Sequence, residues 1–123
     1  MTLRRLIGYL SVSPWLLPVA VLTMTAIAVL SVVPGQWQWR TGLPAQLEHF
    51  VAYFGVGLVL GVVWPPTRRV ILSLGLLLIA FAGVLEILQL WAAGRDARLI
   101  DALISVGGAI SGLVIAAWLR RQS

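Results

Sequence analysis

The chain has no cysteine, a single histidine and only four carboxylates. Each shortage excludes something. Without cysteine there is no disulfide framework, no thiolate nucleophile and no cysteine-held metal, so the redox compartment leaves no mark on the sequence. One histidine among scattered acids is thin for a metal site, and no serine or cysteine sits in a nucleophile elbow. No metal and no other cofactor is expected. Charge is scarce too: 11% of residues, against about 25% in an ordinary soluble domain. Lysine is absent, so all nine basic residues are arginines, set in pairs and singles at the edges of apolar runs. That is how membrane proteins fix their orientation, and no nucleic-acid partner is expected.

What is present is apolar: 60% of the residues, with a mean hydropathy of +0.99. The 123 residues allow one domain, 1–123. A bilayer core takes roughly 20 apolar residues at about 1.5 Å each, and four runs meet that length. They predict an all-α membrane protein, a bundle of four transmembrane helices at about 14–33, 46–64, 70–91 and 99–119. The first run has a competing reading, because Arg4 and Arg5, an apolar stretch and Ala26-Ile27-Ala28 imitate a cleaved signal peptide. The run continues past Ala28 to Val33, which favours a span. Pro34-Gly35 ends it, Trp37 and Trp39 suit a headgroup level, and Pro65-Pro66-Thr67-Arg68-Arg69 reads as a tight basic turn.

Arginines on alternating sides set the orientation. Arg4, Arg5, Arg68, Arg69, Arg120 and Arg121 fall on one side, and Arg40, Arg95 and Arg98 on the other. Six against three predicts a multi-pass protein of a bacterial cytoplasmic (inner) membrane with both termini in the cytoplasm. On that topology Glu48, His49, Glu86, Asp96 and Asp101 all come to the outer side at similar depth. His49 and Tyr53 share a helix face, as do Asp101 and Ser105, and Glu86 and Gln89. Arg95 and Arg98 are the available counter-ions. Asp101 could simply favour a helix N-terminus, by about 0.3–1 kcal/mol, whereas Glu86 near a helix C-terminus gains nothing from that dipole. The spacings Gly57 to Gly61 and Gly108 to Gly112 read as close helix packing.

The run EHFVAYFGVG, followed by EILQLWAAGRDARLIDALISVGGAISG, resembles the VanZ-like family, small bacterial multi-helix membrane proteins named for a teicoplanin-resistance protein. The resemblance covers about Gln46 to Leu119 and falls on His49, Tyr53, Glu86, Gln89, Arg95 and Asp101. Many members carry a lysine where this chain has Gln46, and often an asparagine where it has Ser105. If that lysine binds phosphate, Arg40, Arg95 or Arg98 must do so here. The resemblance implies a role in protecting the cell envelope and a link to glycopeptide tolerance, without a settled mechanism.

Three functions follow as expectations. The first is binding or processing of an amphipathic envelope molecule, a membrane lipid, lipid-linked precursor or lipoglycopeptide, held by Glu48, Tyr53, Gln89, Arg95, Asp96 and Arg98. The second makes the cluster catalytic, with His49 as general base, Glu86 or Asp101 orienting it and an arginine holding developing negative charge. The third is a non-catalytic structural subunit, joined to a membrane-protein partner or to copies of itself. A proton- or ion-conducting role fits poorly, since no acid lies toward the cytoplasmic half to complete a path.

Overall fold

The computed structural model describes Thr2, Arg5, Leu6, Gly8, Tyr9 and residues 13–37, 41–94 and 96–122. Among them are four α-helices and no strand: α1 (Leu16–Val32), α2 (Ala45–Val63), α3 (Arg68–Gln89) and α4 (Leu99–Arg121), with a short 3-10 turn at Gly35–Trp37. Three of these, α2, α3 and α4, are long and apolar enough to cross a membrane. The first has 17 residues, about 25 Å, and is shorter than the predicted 14–33 run.

Prolines set the helix ends. Val33 and Trp64 stand at or just before a proline and take extended backbone, ψ 134° and 150°, which stops α1 and α2. Pro18 is tolerated because it lies in the first turn of α1, where its missing N–H would have no helical partner. The basic turn expected at 65–69 is shorter than read. Thr67 Oγ1 accepts from the Val70 N–H at 3.3 Å, and this cap draws Arg68 and Arg69 into the first turn of α3.

The fold is built on α2 and α4, which make the most extensive contact in the molecule. Phe50 lies against Gly108, Phe54 against Gly112, Gly61 against Ala116, and Val62 against Arg120, so the two helices run parallel in a fixed register. A Cβ on Gly57 would enter the Ala109 carbonyl; one on Gly108 or Gly112 would enter the carbonyl of Phe50 or Phe54. The expected small-residue stripes therefore face each other and bring backbone against backbone, the contact that drives helix association in lipid. Helix α3 runs antiparallel to both, and its Leu78 and Ala82 join Ala20 of α1 and Tyr53, Val56 and Leu60 of α2 in the core. Hydroxyls on the helices turn inward on their own backbone, as Ser111 does to the Gly107 carbonyl at 2.7 Å. The outside is a continuous apolar coat that includes Leu72, Leu76, Leu103, Ile110 and Val114. Exposed tryptophans lie toward both ends of the bundle, Trp91 beyond α3 and Trp118 near the close of α4. Such a coat suits lipid and would be an aggregation hazard in water.

Candidate functional site

The parallel course of α2 and α4 brings their N-terminal ends to the same end of the bundle, where α3 finishes. The three ends and the 90–98 loop surround a cavity of about 260 Å³, lined by Ala45, Gln46, His49, Gln89, Gly94, Asp96, Arg98 and Asp101. Gly94, which lines the cavity, has φ +71°, the left-handed conformation that glycine takes without strain.

Asp101 lies in the first turn of α4 and is 8% exposed. Its Oδ1 is buried and has no hydrogen-bond partner among the described residues. Arg98 is the N-cap residue of that helix, and the helix has no side-chain cap of its own. Instead the Arg98 N–H donates to Glu86 Oε1, twelve residues earlier on α3. Here the expectation for Glu86 is corrected. Although it sits near the C-terminal end of α3, its carboxylate caps the N-terminus of α4, where negative charge is favoured.

Gln89 is buried to 4% exposure yet lines the cavity. Among the described residues, the side chains of Gln46, His49, Gln89, Asp96 and Arg98 have no hydrogen bond or ion pair. Gln46 and His49 are half-buried and Asp96 and Arg98 exposed, so solvent can serve them; the buried exception is Asp101 Oδ1, and a buried polar atom normally finds a partner. Helix α2 opens at the same place. Its first residues, Ala45 and Gln46, line the cavity, and no side chain caps its N-terminus. Their backbone N–H groups precede the first helical bonds, which leaves donors and the positive end of a helix dipole at the pocket.

Of the residues expected to form the site, the structure brings together His49, Gln89, Asp96, Arg98 and Asp101. Tyr53 does not line the cavity; it is buried one turn deeper, its ring 6.1 Å from that of Phe81. Glu48 also stands apart, at the start of α2, where it accepts from the backbone N–H and hydroxyl of Thr41. Ser105 is a buried neighbour of the site, its hydroxyl donating to the Asp101 carbonyl at 2.8 Å. Arg40 and Arg95 lie outside the described residues, as do Arg4 and Trp39. Gln46 was passed over as a ligand, although it precedes His49 by three residues and so shares its face. Among the described residues no group of three or more metal-ligating side chains comes together.

The fold is a helical bundle with three helices long and apolar enough to cross a membrane, and a polar-lined cavity at one end. No family model, curated protein or solved structure matches this chain.

Proposed function

We propose that this is a VanZ-like protein of a bacterial cytoplasmic membrane that binds or processes an amphipathic envelope molecule at the outer face. The observation that carries this reading is the cavity itself, whose polar lining is unpaired among the described residues and which opens among lipid-suited helices. At about 260 Å³ it lies just below the range of ordinary small-molecule pockets, about 300–1,000 Å³. It accommodates a headgroup, with acyl or prenyl chains left to run along the apolar coat. Arg98 suits phosphate or carboxylate through its planar fork of donors.

The orientation rests on arginine. The end opposite the pocket carries Arg68 and Arg69 at the start of α3 and Arg120 and Arg121 at the close of α4. The positive-inside rule puts that end in the cytoplasm and the pocket outside. Helix α1, at the lower limit of spanning length, makes the fourth span and returns the N-terminus to the cytoplasm.

Native mass spectrometry of the purified protein is the direct test, comparing wild type with Arg98→Ala and His49→Gln. The expected result is a co-purified phospholipid or polyprenyl phosphate, lost in Arg98→Ala. Retention in His49→Gln with loss of turnover on that lipid would assign His49 to catalysis rather than binding. Identical lipid content in all three proteins would place the lipid elsewhere and favour a structural, partner-binding subunit.

A further inference from the structure

The pocket joins two features of opposite charge. One wall carries the exposed Arg98 guanidinium, without an ion pair among the described residues, and the uncapped N-terminal end of α2 at Ala45 and Gln46, with the exposed Asp96 at its edge. The other holds Asp101, more than nine-tenths buried, with Oδ1 unpartnered among the described residues. A simple anion would be drawn to the first wall and repelled by the second. A simple cation would meet the reverse. No cluster of metal ligands is present among the described residues to make Asp101 part of a cation site.

Building on the envelope-ligand reading above, we propose that the pocket recognises a zwitterion, a primary ammonium tethered to a phosphate, as in a phosphoethanolamine headgroup. The ammonium donates to Asp101, and the phosphate accepts from Arg98 and the first backbone N–H groups of α2. Gln89 and His49, lining the same cavity, supply the remaining hydrogen bonds. Both charges of the ligand are then paired, as are Arg98 and the buried Asp101, while Asp96, the third charged side chain of the lining, is exposed and stays in contact with solvent. Glu48 takes no part, since it is engaged with Thr41 away from the cavity.

The test is a headgroup series of short-chain lipids titrated into the detergent-purified protein, with occupancy read by native mass spectrometry. Phosphatidylethanolamine, its N-methyl and N,N-dimethyl derivatives and phosphatidylcholine keep the charge constant while removing N–H donors one by one. Phosphatidylglycerol removes the ammonium altogether. Wild type should bind phosphatidylethanolamine about tenfold more tightly than phosphatidylcholine or phosphatidylglycerol, with the methylated lipids between, as befits a charge-assisted hydrogen bond. Asp101→Asn should abolish this order and leave phosphatidylglycerol binding equal or stronger, while Arg98→Gln should weaken every phospholipid alike. The wild-type series stands by itself if Asp101→Asn does not fold. Soluble glycerophosphoethanolamine forms a parallel arm: binding of the lipid alone assigns the site to a membrane headgroup, and binding of both assigns it to the headgroup chemistry whatever its source. Lipid binding without headgroup order, or an order unchanged in Asp101→Asn, overturns the zwitterion proposal and leaves the envelope-ligand reading standing. No lipid binding in any arm overturns both.

Discussion

Helices α2 and α4 meet in opposite ways at their two ends. Through the middle they close on glycine, with Gly57, Gly108 and Gly112 each admitting a carbonyl of the partner helix. At the far end Arg120 donates to the carbonyls of Val62 and Trp64, the latter at 2.9 Å, and so pairs two of the carbonyls at the C-terminal end of α2. At the near end the same helices border a cavity, where Asp101 Oδ1 is buried without a partner among the described residues. The two far-end carbonyls are satisfied from within the fold, as suits backbone in an apolar setting. The Asp101 carboxylate departs from the rule that buried polar groups are paired, while the seam beside it keeps that rule. A local rule broken inside an otherwise consistent fold marks the place where binding, rather than stability, sets the residue choice.

The comparison breaks most easily at the seam. A side chain at Gly112 would meet the Phe54 carbonyl and the Leu58 backbone nitrogen, atoms that cannot give way unless the helices separate. Gly112→Val should therefore destabilise by at least about 3 kcal/mol or prevent folding, read as thermal unfolding by tryptophan fluorescence in detergent. A wild-type melting curve from this variant would mean that α2 and α4 do not meet in the register described. Arg120→Met comes next. It keeps an apolar stem and removes both donors, leaving the Val62 and Trp64 carbonyls short of partners, at about 1–3 kcal/mol. Arg120→Lys should recover part of the loss, because a single ammonium reaches at least one of the two carbonyls.

Glu86 joins the two regions, since its cap holds Arg98, which lines the pocket, at the start of α4. Glu86→Ala should cost about 1 kcal/mol, the usual worth of a helix cap, and Glu86→Gln less. Hydrogen exchange locates the effect: the Arg98 amide should exchange faster in Glu86→Ala, with the seam amides near Gly108 unchanged. Faster exchange spread evenly over α4 would show that the two ends of the helix are not energetically separate.

How much of this was legible depends on how local each cause is. The three long apolar helices and the facing glycine stripes are written in short-range composition and spacing, so a reading of runs and intervals finds them. The gathering of His49, Gln89, Asp96, Arg98 and Asp101 at one end follows from alternation of the chain across a membrane-sized bundle, which is also countable. The role of Glu86 was not, because its carboxylate acts on a helix that starts beyond a loop whose path depends on the Gly94 turn. Its position on its own helix gave the opposite electrostatic expectation. Gln46 carried a signal, three residues before His49, that a comparison with family lysines obscured. The length of α1 was overestimated at both ends, because the apolar run includes Pro14 and Trp15, which form a turn before the helix, and Val33, on which Pro34 imposes extended backbone.

The smallest effect tests the contrast from outside the α2–α4 seam. Gly83 is in α3, and a Cβ built there meets nothing within 4 Å, unlike the seam glycines, whose added atoms enter backbone. Gly83→Ala should thus stabilise, by about 0.5–1 kcal/mol, because alanine restricts the unfolded chain and favours helix without finding anything to displace. The same one-carbon change has opposite signs at Gly83 and Gly112, and the difference isolates helix contact from helix propensity. If Gly83→Ala instead lowered the melting temperature, the face of α3 around Gly83 would be occupied in the membrane, and a second helix, of another copy or another protein, would be the direct explanation.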